Sequence, residues 1–312
     1  MNVFSLSGIG AAVLLALAPL APPAMATSGQ PDNLVEQPAL TDQEQAQLDW
    51  LEDTLSSLDA RRGQIAIADG VVALDVPESF YFLDAEDSRT VLEDLWGNPP
   101  DEQVLGMLFP SDYGVLDDDA WGVVLYYSPE GHVDDDDAAA IDYVDLLENM
   151  RDDMRSANEA RREQGYPAVE LLGWAEEPHY DAASHQLYWA KNLRFEGIEG
   201  ETLNYDIRQL GREGVLVMSF IAVPGALEEI RQRRDQVLQI ARFSDGNRYD
   251  QFDPAYDDVA AYGLAGLIAG KAASKAGLLA AALLFLKKFW FLIVAAVWGG
   301  IKAIGGRGKR AD

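Results

Sequence analysis

Acidic side chains are the most numerous groups in this sequence that could bind a cation. Asp134 to Asp137 form a continuous run, and Asp142 follows five residues later. Calcium prefers several carboxylate oxygens, but the loops that bind it present them at alternating positions around a glycine. This run lacks that spacing, and consecutive residues on a helix point in different directions. We interpret it as a solvated helix start and predict no metal site there, with cation sensing kept as an alternative.

The residue types that perform most catalysis are scarce. The chain has no cysteine, which excludes disulfides and thiol nucleophiles, and its only histidines are His132, His179 and His185. Neither a zinc-ligand pattern nor a Gly-x-Ser-x-Gly nucleophile turn occurs, and no phosphate-binding glycine loop follows a predicted strand. We therefore predict no catalytic residue, no metal and no cofactor.

Aromatic and hydrogen-bonding side chains alternate along two predicted strands, 186–195 and 202–210. Such an alternation places them on the faces of a sheet, where they can bind a ligand or peptide. The alternative is that the aromatic residues pack in the core and the arginines form internal salt bridges. The candidate binding residues are Trp96, Asn98, Tyr180, Asp181, Tyr188, Trp189, Asn204, Tyr205, Arg208 and Arg212.

Hydrophobic periodicity predicts the elements that position these residues. A first helix spans 41–58, because Thr41 and Glu44 form a capping box ahead of a leucine stripe. Alternating residues around Asp69-Gly70 predict a β-hairpin. The further predictions are helices at about 86–96, 135–164 and 226–242 and strands at 104–109, 121–127, 169–174, 186–195, 202–210 and 215–223.

This order predicts an α+β fold, a mostly antiparallel sheet of about eight strands covered by helices, plus a C-terminal transmembrane helix. Residues 40–256 form one acidic domain, since no linker divides them. Residues 259–312 carry a net charge of +7 and the rest −35. An acidic body repels phosphates, so we predict no nucleic-acid partner.

The two ends are predicted to direct the chain to a membrane. Residues 1–26 resemble a signal peptide ending in Ala24-Met25-Ala26, and 27–39 a disordered linker; the alternative is an uncleaved anchor. Residues 257–282 are predicted as an interfacial Gly/Ala-rich helix, 283–304 as a transmembrane anchor and 305–312 as a basic cytoplasmic tail. Gly266 and Gly270 permit self-association. The alternative is a buried amphipathic hairpin.

Several motifs resemble a bacterial family of predicted membrane-anchored proteins, domain of unknown function 2167. The motifs are Leu95-Trp96-Gly97-Asn98-Pro99-Pro100, Gly131-His132-Val133-Asp134-Asp135, Leu187-Tyr188-Trp189-Ala190-Lys191 and Leu203-Asn204-Tyr205-Asp206, with Gly246-Asn247-Arg248-Tyr249 near the C-terminal region. The resemblance implies membrane anchorage and brings no known activity. The element order alone is also similar to the PsbP/Mog1-type sandwich.

Together these patterns favour a non-enzymatic binding or scaffold protein of the bacterial envelope. It is predicted to sit in the cell membrane with its bulk on the periplasmic side, its C-terminus cytoplasmic, and an envelope protein or a second copy as its partner. The alternatives are an envelope hydrolase that uses paired carboxylates and a cation-binding sensor.

Overall fold

The computed structural model describes residues 41–117 and 120–270. The predicted signal peptide, linker, transmembrane anchor and basic tail lie outside the described residues, and the predicted location stays a prediction. Across the described ranges no helix combines the length and the apolar character needed to cross a bilayer.

Ten strands and five α-helices make up the described chain. The strands are β1 (Gly63–Ile67), β2 (Val72–Val76), β3 (Phe80–Asp84), β4 (Gly106–Pro110), β5 (Gly122–Ser128), β6 (Val169–Asp181), β7 (Gln186–Phe195), β8 (Thr202–Leu210), β9 (Val215–Ala222) and β10 (Ala241–Phe243). The helices are α1 (Asp42–Ser57), α2 (Ala85–Arg89), α3 (Tyr143–Glu163), α4 (Leu227–Ile240) and α5 (Leu264–Ala269), and a π-helical stretch, Thr90–Leu95, continues α2.

The strands form two antiparallel sheets, so the predicted fold class needs correction. A seven-stranded sheet has the order β3-β4-β5-β9-β8-β7-β6, and a three-stranded sheet has the order β1-β2-β10. The prediction of one sheet of about eight strands is wrong, and no helix within the described ranges provides the predicted transmembrane helix. The α+β class holds, but the first hairpin leaves the main sheet and pairs with β10, which directly follows α4.

Each face of the large sheet is covered by a different layer. One face packs against the small sheet and α4, in a core whose largest buried side chains include Trp121, Tyr205 and Phe220. The opposite face is covered at its β6–β7 end by α3 and α5. At its β3–β4 end the helical segment 85–95 and Trp96 cover it. The middle of that second face therefore lies between two separate helical covers.

The local patterns that predicted α1 and the hairpin are confirmed. Thr41 and Glu44 form the capping box, with Glu44 N donating to Thr41 Oγ1 at 3.2 Å. The hairpin pairs Gly63 with Val76 through to Ile67 with Val72. The turn between them places Asp69 in the left-handed region with φ 53°, which aspartate adopts more readily than most residues.

Helix α3 starts later than predicted. Two of the aspartates before it accept hydrogen bonds from helix N-termini instead of forming its first turn. Asp142 caps it by accepting from Val144 N at 2.9 Å and Asp145 N at 3.1 Å. Asp137, predicted to lie in its solvated first turn, accepts instead from Leu264 N at 3.1 Å and Ala265 N at 3.4 Å. It thus caps α5, more than a hundred residues away.

Side chains of α3 also bind the outer edge of β6, the last strand of the large sheet. Asn158 accepts from Val169 N at 2.8 Å and donates to Val169 O at 2.9 Å. Arg151 donates from Nε to Leu171 O at 3.1 Å and from Nη2 to Leu172 O. These bonds join the helix to the backbone groups that a further strand would otherwise use.

Candidate functional site

A cluster of charged side chains lies buried on the second face of the large sheet. The register places Trp189 opposite Asp206 on β7 and β8, and Asp206 opposite Ser219 on β9. Asp206 Oδ2 lies 2.9 Å from Lys191 Nζ, and Asp206 Oδ1 lies 3.2 Å from Arg208 Nη1. Ser219 Oγ donates to the same carboxylate at 2.6 Å. We call Lys191, Asp206 and Arg208 the charge triad.

The charge triad keeps Asp206 ionised over an unusually wide range of pH. Burial alone raises the pKa of a carboxyl group, but the positive charges of Lys191 and Arg208 and the hydrogen bond from Ser219 outweigh it here. The pKa of Asp206 falls to about 2. Two cations share this one anion, so the three buried side chains carry a net charge of +1.

Trp189 holds both cations against the sheet. The guanidinium carbon of Arg208 lies 5.0 Å from the Trp189 ring centroid, and Lys191 Nζ lies 5.9 Å from it. Both distances are within the range of cation–π attraction, which is stronger in a site removed from water. Trp189 is fully buried, so its ring fixes where the two positive groups lie.

A cavity of about 450 Å³ opens beside the charge triad, and Arg208 forms part of its wall. It lies between the two helical covers of this face. Tyr126 from β5 and Val217 from β9 line it from the sheet, and Leu267 lines it from α5. Its volume falls in the range of small-molecule sites in proteins.

Two tyrosine–carboxylate pairs flank Arg208 in this cavity. Tyr126 is hydrogen-bonded to Asp101, and burial together with this acid raises the pKa of Tyr126 well above its ordinary value. Tyr262 is hydrogen-bonded to Glu130, and burial again makes the largest contribution to its raised pKa. Both phenols therefore stay protonated at neutral pH and act as hydrogen-bond donors.

The structure brings together three of the predicted binding residues, Trp189, Asn204 and Arg208, on the face of the charge triad. Tyr188 and Tyr205 lie on the opposite face, stacked with ring centroids 6.4 Å apart. That face is covered by α4, whose Arg234 lies 4.5 Å from the Tyr188 ring centroid and donates to Tyr205 Oη at 3.4 Å.

The other predicted residues lie at three separate places. Trp96 and Asn98 are buried at the β3–β4 end, where Trp96 Nε1 donates to Val115 O at 3.0 Å and Asn98 Nδ2 to Leu92 O at 3.0 Å. Arg212 forms a two-bond pair with Asp257, at 2.7 Å for each bond. These bonds join residues within the fold. They agree with the alternative that the aromatic residues pack in the core and the arginines form internal salt bridges.

Tyr180 and Asp181 lie at the end of β6, where their bonds are also internal. Tyr180 Oη donates to Asp135 Oδ2, and Asp181 accepts from Ser184 Oγ at 2.7 Å within the following turn. Asp134, Asp135 and Asp136 place carboxylate oxygens within 4.8 Å of one another at this end of the strand. Because the group is largely exposed and Asp135 already accepts from Tyr180, we assign no metal to it.

Residues outside the predicted binding set complete the cavity. Lys191 and Asp206 lie in the two strands whose alternating pattern the sequence showed. Each is two residues from a predicted binding residue, Trp189 or Arg208, and this spacing could have identified them. Asp101, Tyr126, Glu130 and Tyr262 come from two loops, a strand and the segment before α5, and no spacing in the sequence relates them.

Comparison with known proteins gives one family and two distant structures. The model of a family described as a protein of unknown function, DUF2167, matches residues 59–298. No curated protein matches significantly. The solution structure of cyanobacterial PsbP (CyanoP) from Synechocystis is 13% identical with a TM-score of 0.34, and covers 58% of this chain and 91% of its own. The Ran-binding protein Mog1p of Saccharomyces cerevisiae is 9% identical with a TM-score of 0.32. That match covers 63% of this chain and 100% of the Mog1p chain. Scores this low carry no argument about function.

Proposed function

We propose that this chain, which belongs to the DUF2167 family, is a non-enzymatic binding protein that holds a small ligand in the cavity beside the charge triad. The motif resemblance to that family is confirmed by the match over residues 59–298. The observation that supports binding is the cavity itself, about 450 Å³ in volume with the buried Arg208 in its wall.

The lining suits a ligand with an apolar body. Val215, Val217 and Leu267 supply aliphatic surface, and Tyr126 and Tyr262 add ring surface with protonated hydroxyl groups. Sites of this kind take most of their affinity from apolar contact and their orientation from a few polar groups. Arg208 is the group placed to orient such a ligand.

The hydrolase alternative has less support in this cavity. A glycosidase-type mechanism needs two carboxyl groups that flank the scissile bond, one protonated and one ionised. Asp101 and Glu130 are each hydrogen-bonded to a different tyrosine. This arrangement pairs each acid with a phenol rather than with the other acid, which favours binding over acid–base catalysis.

The test is whether a neutral apolar probe enters the cavity of the whole chain. With 1-octanol as the probe, we expect saturable shifts in the methyl NMR signals of Val215, Val217 and Leu267. Val217→Trp places an indole where the ligand lies, so it should abolish the shifts of the Val215 and Leu267 signals that remain in the variant. Val144→Trp is the matched control, since Val144 is 71% exposed on α3.

Two results would contradict the proposal. One is the absence of saturable shifts in the unaltered protein. The other is shifts of equal size in the Val217→Trp variant, which would mean that octanol binds elsewhere. A Val217→Trp variant that does not fold is replaced by Leu105→Trp, at another half-buried residue that lines the cavity.

A further inference from the structure

We infer that the cavity is selective for a ligand that carries one carboxylate on an apolar body. The inference rests on the proposed binding function and names the chemical class of the ligand. It follows from the net charge of the charge triad, from the position of Arg208 in the cavity wall, and from the acids that line the same cavity.

The charge triad has one positive charge more than its shared anion can balance. Both ion pairs that involve Lys191 and Arg208 end on Asp206, which is 1% exposed. A buried cation whose charge is only partly compensated is costly, because it has lost its hydration without a full counter-charge. A monoanion bound beside the triad would bring these groups to net neutrality.

Arg208 is the member of the triad that meets the cavity. Its bonds to Asp206 Oδ1 at 3.2 Å and to Ile207 O at 3.3 Å both use Nη1. A guanidinium carries five N–H donors in a plane, and it binds a carboxylate through two parallel bonds. Since Arg208 lines the cavity and its two bonds within the fold both use Nη1, its guanidinium is the group within reach of a carboxylate bound there.

The acids near the cavity set an upper limit on the ligand's charge. Asp101, Glu102 and Glu130 line the cavity, in a chain whose net charge is −28. These carboxylates repel any anion, and they repel a dianion such as a phosphate monoester about twice as strongly as a monoanion, while the triad offers either ligand a surplus of a single positive charge. One carboxylate matches the surplus.

Four eight-carbon probes that differ only in their head group test this selectivity. Octanoate, octyl phosphate, octylammonium and 1-octanol are titrated into the full chain at a mildly alkaline pH, where the phosphate carries close to two negative charges. Binding is followed by calorimetry and by the methyl signals of Val215 and Val217. We expect octanoate to bind about tenfold or more tighter than 1-octanol, since that is the size of one hydrogen bond to a charged group.

Arg208→Met should reduce that preference to about equal affinity for octanoate and 1-octanol. The variant retains Lys191 and Asp206 as a neutral pair, so we expect it to fold. Arg194→Met is the control and should keep the preference, because Arg194 lies on the exposed surface and pairs with Glu170 and Glu201. If Arg208→Met does not fold, the ranking of the four probes on the unaltered protein decides alone.

The outcomes separate this inference from the proposed function. Tightest binding of octyl phosphate or octylammonium would overturn the assignment to monocarboxylates. Equal binding of octanoate and 1-octanol in the unaltered protein would overturn it too, while leaving the binding function in place. Failure of all four probes to bind would overturn both.

Discussion

Lys191 and Arg208 approach the same buried carboxylate from two neighbouring strands, one at each oxygen of Asp206. Lys191 Nζ lies 2.9 Å from Oδ2, and Arg208 Nη1 lies 3.2 Å from Oδ1. Losing one of the two cations should therefore destabilise the fold less than losing the shared anion. Removing either cation leaves one neutral pair, whereas removing the anion leaves two buried positive charges.

The first prediction follows from this asymmetry. Asp206→Asn should lower the free energy of unfolding by about 3–5 kcal/mol, the range found when a buried ion pair loses one partner. Lys191→Met and Arg208→Met should each cost clearly less. Urea unfolding measures all three, with the exposed Arg194→Met as control. Equal losses in Asp206→Asn and Arg208→Met would contradict the shared-anion description.

The second prediction concerns acid. The pKa of Asp206 is about 2 in the folded protein and 3.8 in its ordinary state. The unfolded chain therefore takes up this proton first as the pH falls, which favours unfolding. Its contribution, on the order of 2 kcal/mol, is fully present above pH 4 and is lost between about pH 4 and pH 2.

Removing one cation tests that assignment. In Arg208→Met the pKa of Asp206 should rise, so the pH dependence from this group becomes smaller in the same window. The measurement is the free energy of unfolding at a series of acidic pH values, compared between the two proteins. An unchanged pH dependence would show that other acids dominate the transition.

The third prediction concerns His132, which is stacked between two rings. The centroid of Phe252 lies 3.9 Å from that of His132, and the centroid of Tyr249 lies 4.2 Å away on the other side. Burial lowers the pKa of His132 below 6.5, although a hydrogen bond with the Arg212 carbonyl acts in the opposite direction. The folded state thus binds this proton less readily than the unfolded one.

The contribution of His132 to the free energy of unfolding should therefore be fully present above pH 6.5. It should be lost as the pH falls through the lower pKa of the folded state. His132→Phe preserves a ring in the stack and should remove this pH dependence. His179→Phe, at an exposed residue of β6, is the control and should leave it in place. NMR titration of the imidazole signals checks the direction of the shift independently.

The fourth prediction concerns the cap of α5. Asp137→Ala removes the acceptor for Leu264 N and Ala265 N and should cost about 1 kcal/mol, typical of a lost N-cap. Faster hydrogen exchange should be confined to the amides of α5 and the cavity wall it provides. Asp136→Ala is the control, since Asp136 is exposed. Equal exchange in both variants would exclude the capping role.

Local sequence signals predicted those parts of the fold that depend on near neighbours. The capping box at Thr41 and Glu44 and the four-stranded meander from β6 to β9 are confirmed, because turn and side-chain periods act within a few residues. β3 was missed since both of its faces are largely buried, which removes the alternation that marks a strand. β10 was absorbed into the predicted last helix because it follows α4 without a break.

The site could be predicted only in part, because contacts between residues distant in the sequence leave no local pattern. Trp189, Asn204 and Arg208 were among the predicted binding residues, but Tyr188 and Tyr205 lie on the opposite face. Asp137 was interpreted as a solvated residue, whereas its partners are backbone amides of α5. Such pairings are decided by strand register and by the packing of distant segments, which become known only once the chain is folded.

The bonds from Asn158 and Arg151 to β6 have a consequence for the molecule's behaviour in a crowded solution. The outermost strand of an open sheet is a template on which another chain can add. Here the amide of Val169 and the carbonyls of Val169, Leu171 and Leu172 already have partners on the molecule's own helix. Another strand therefore cannot pair with this stretch of β6, and α3 protects the edge of the sheet from aggregation.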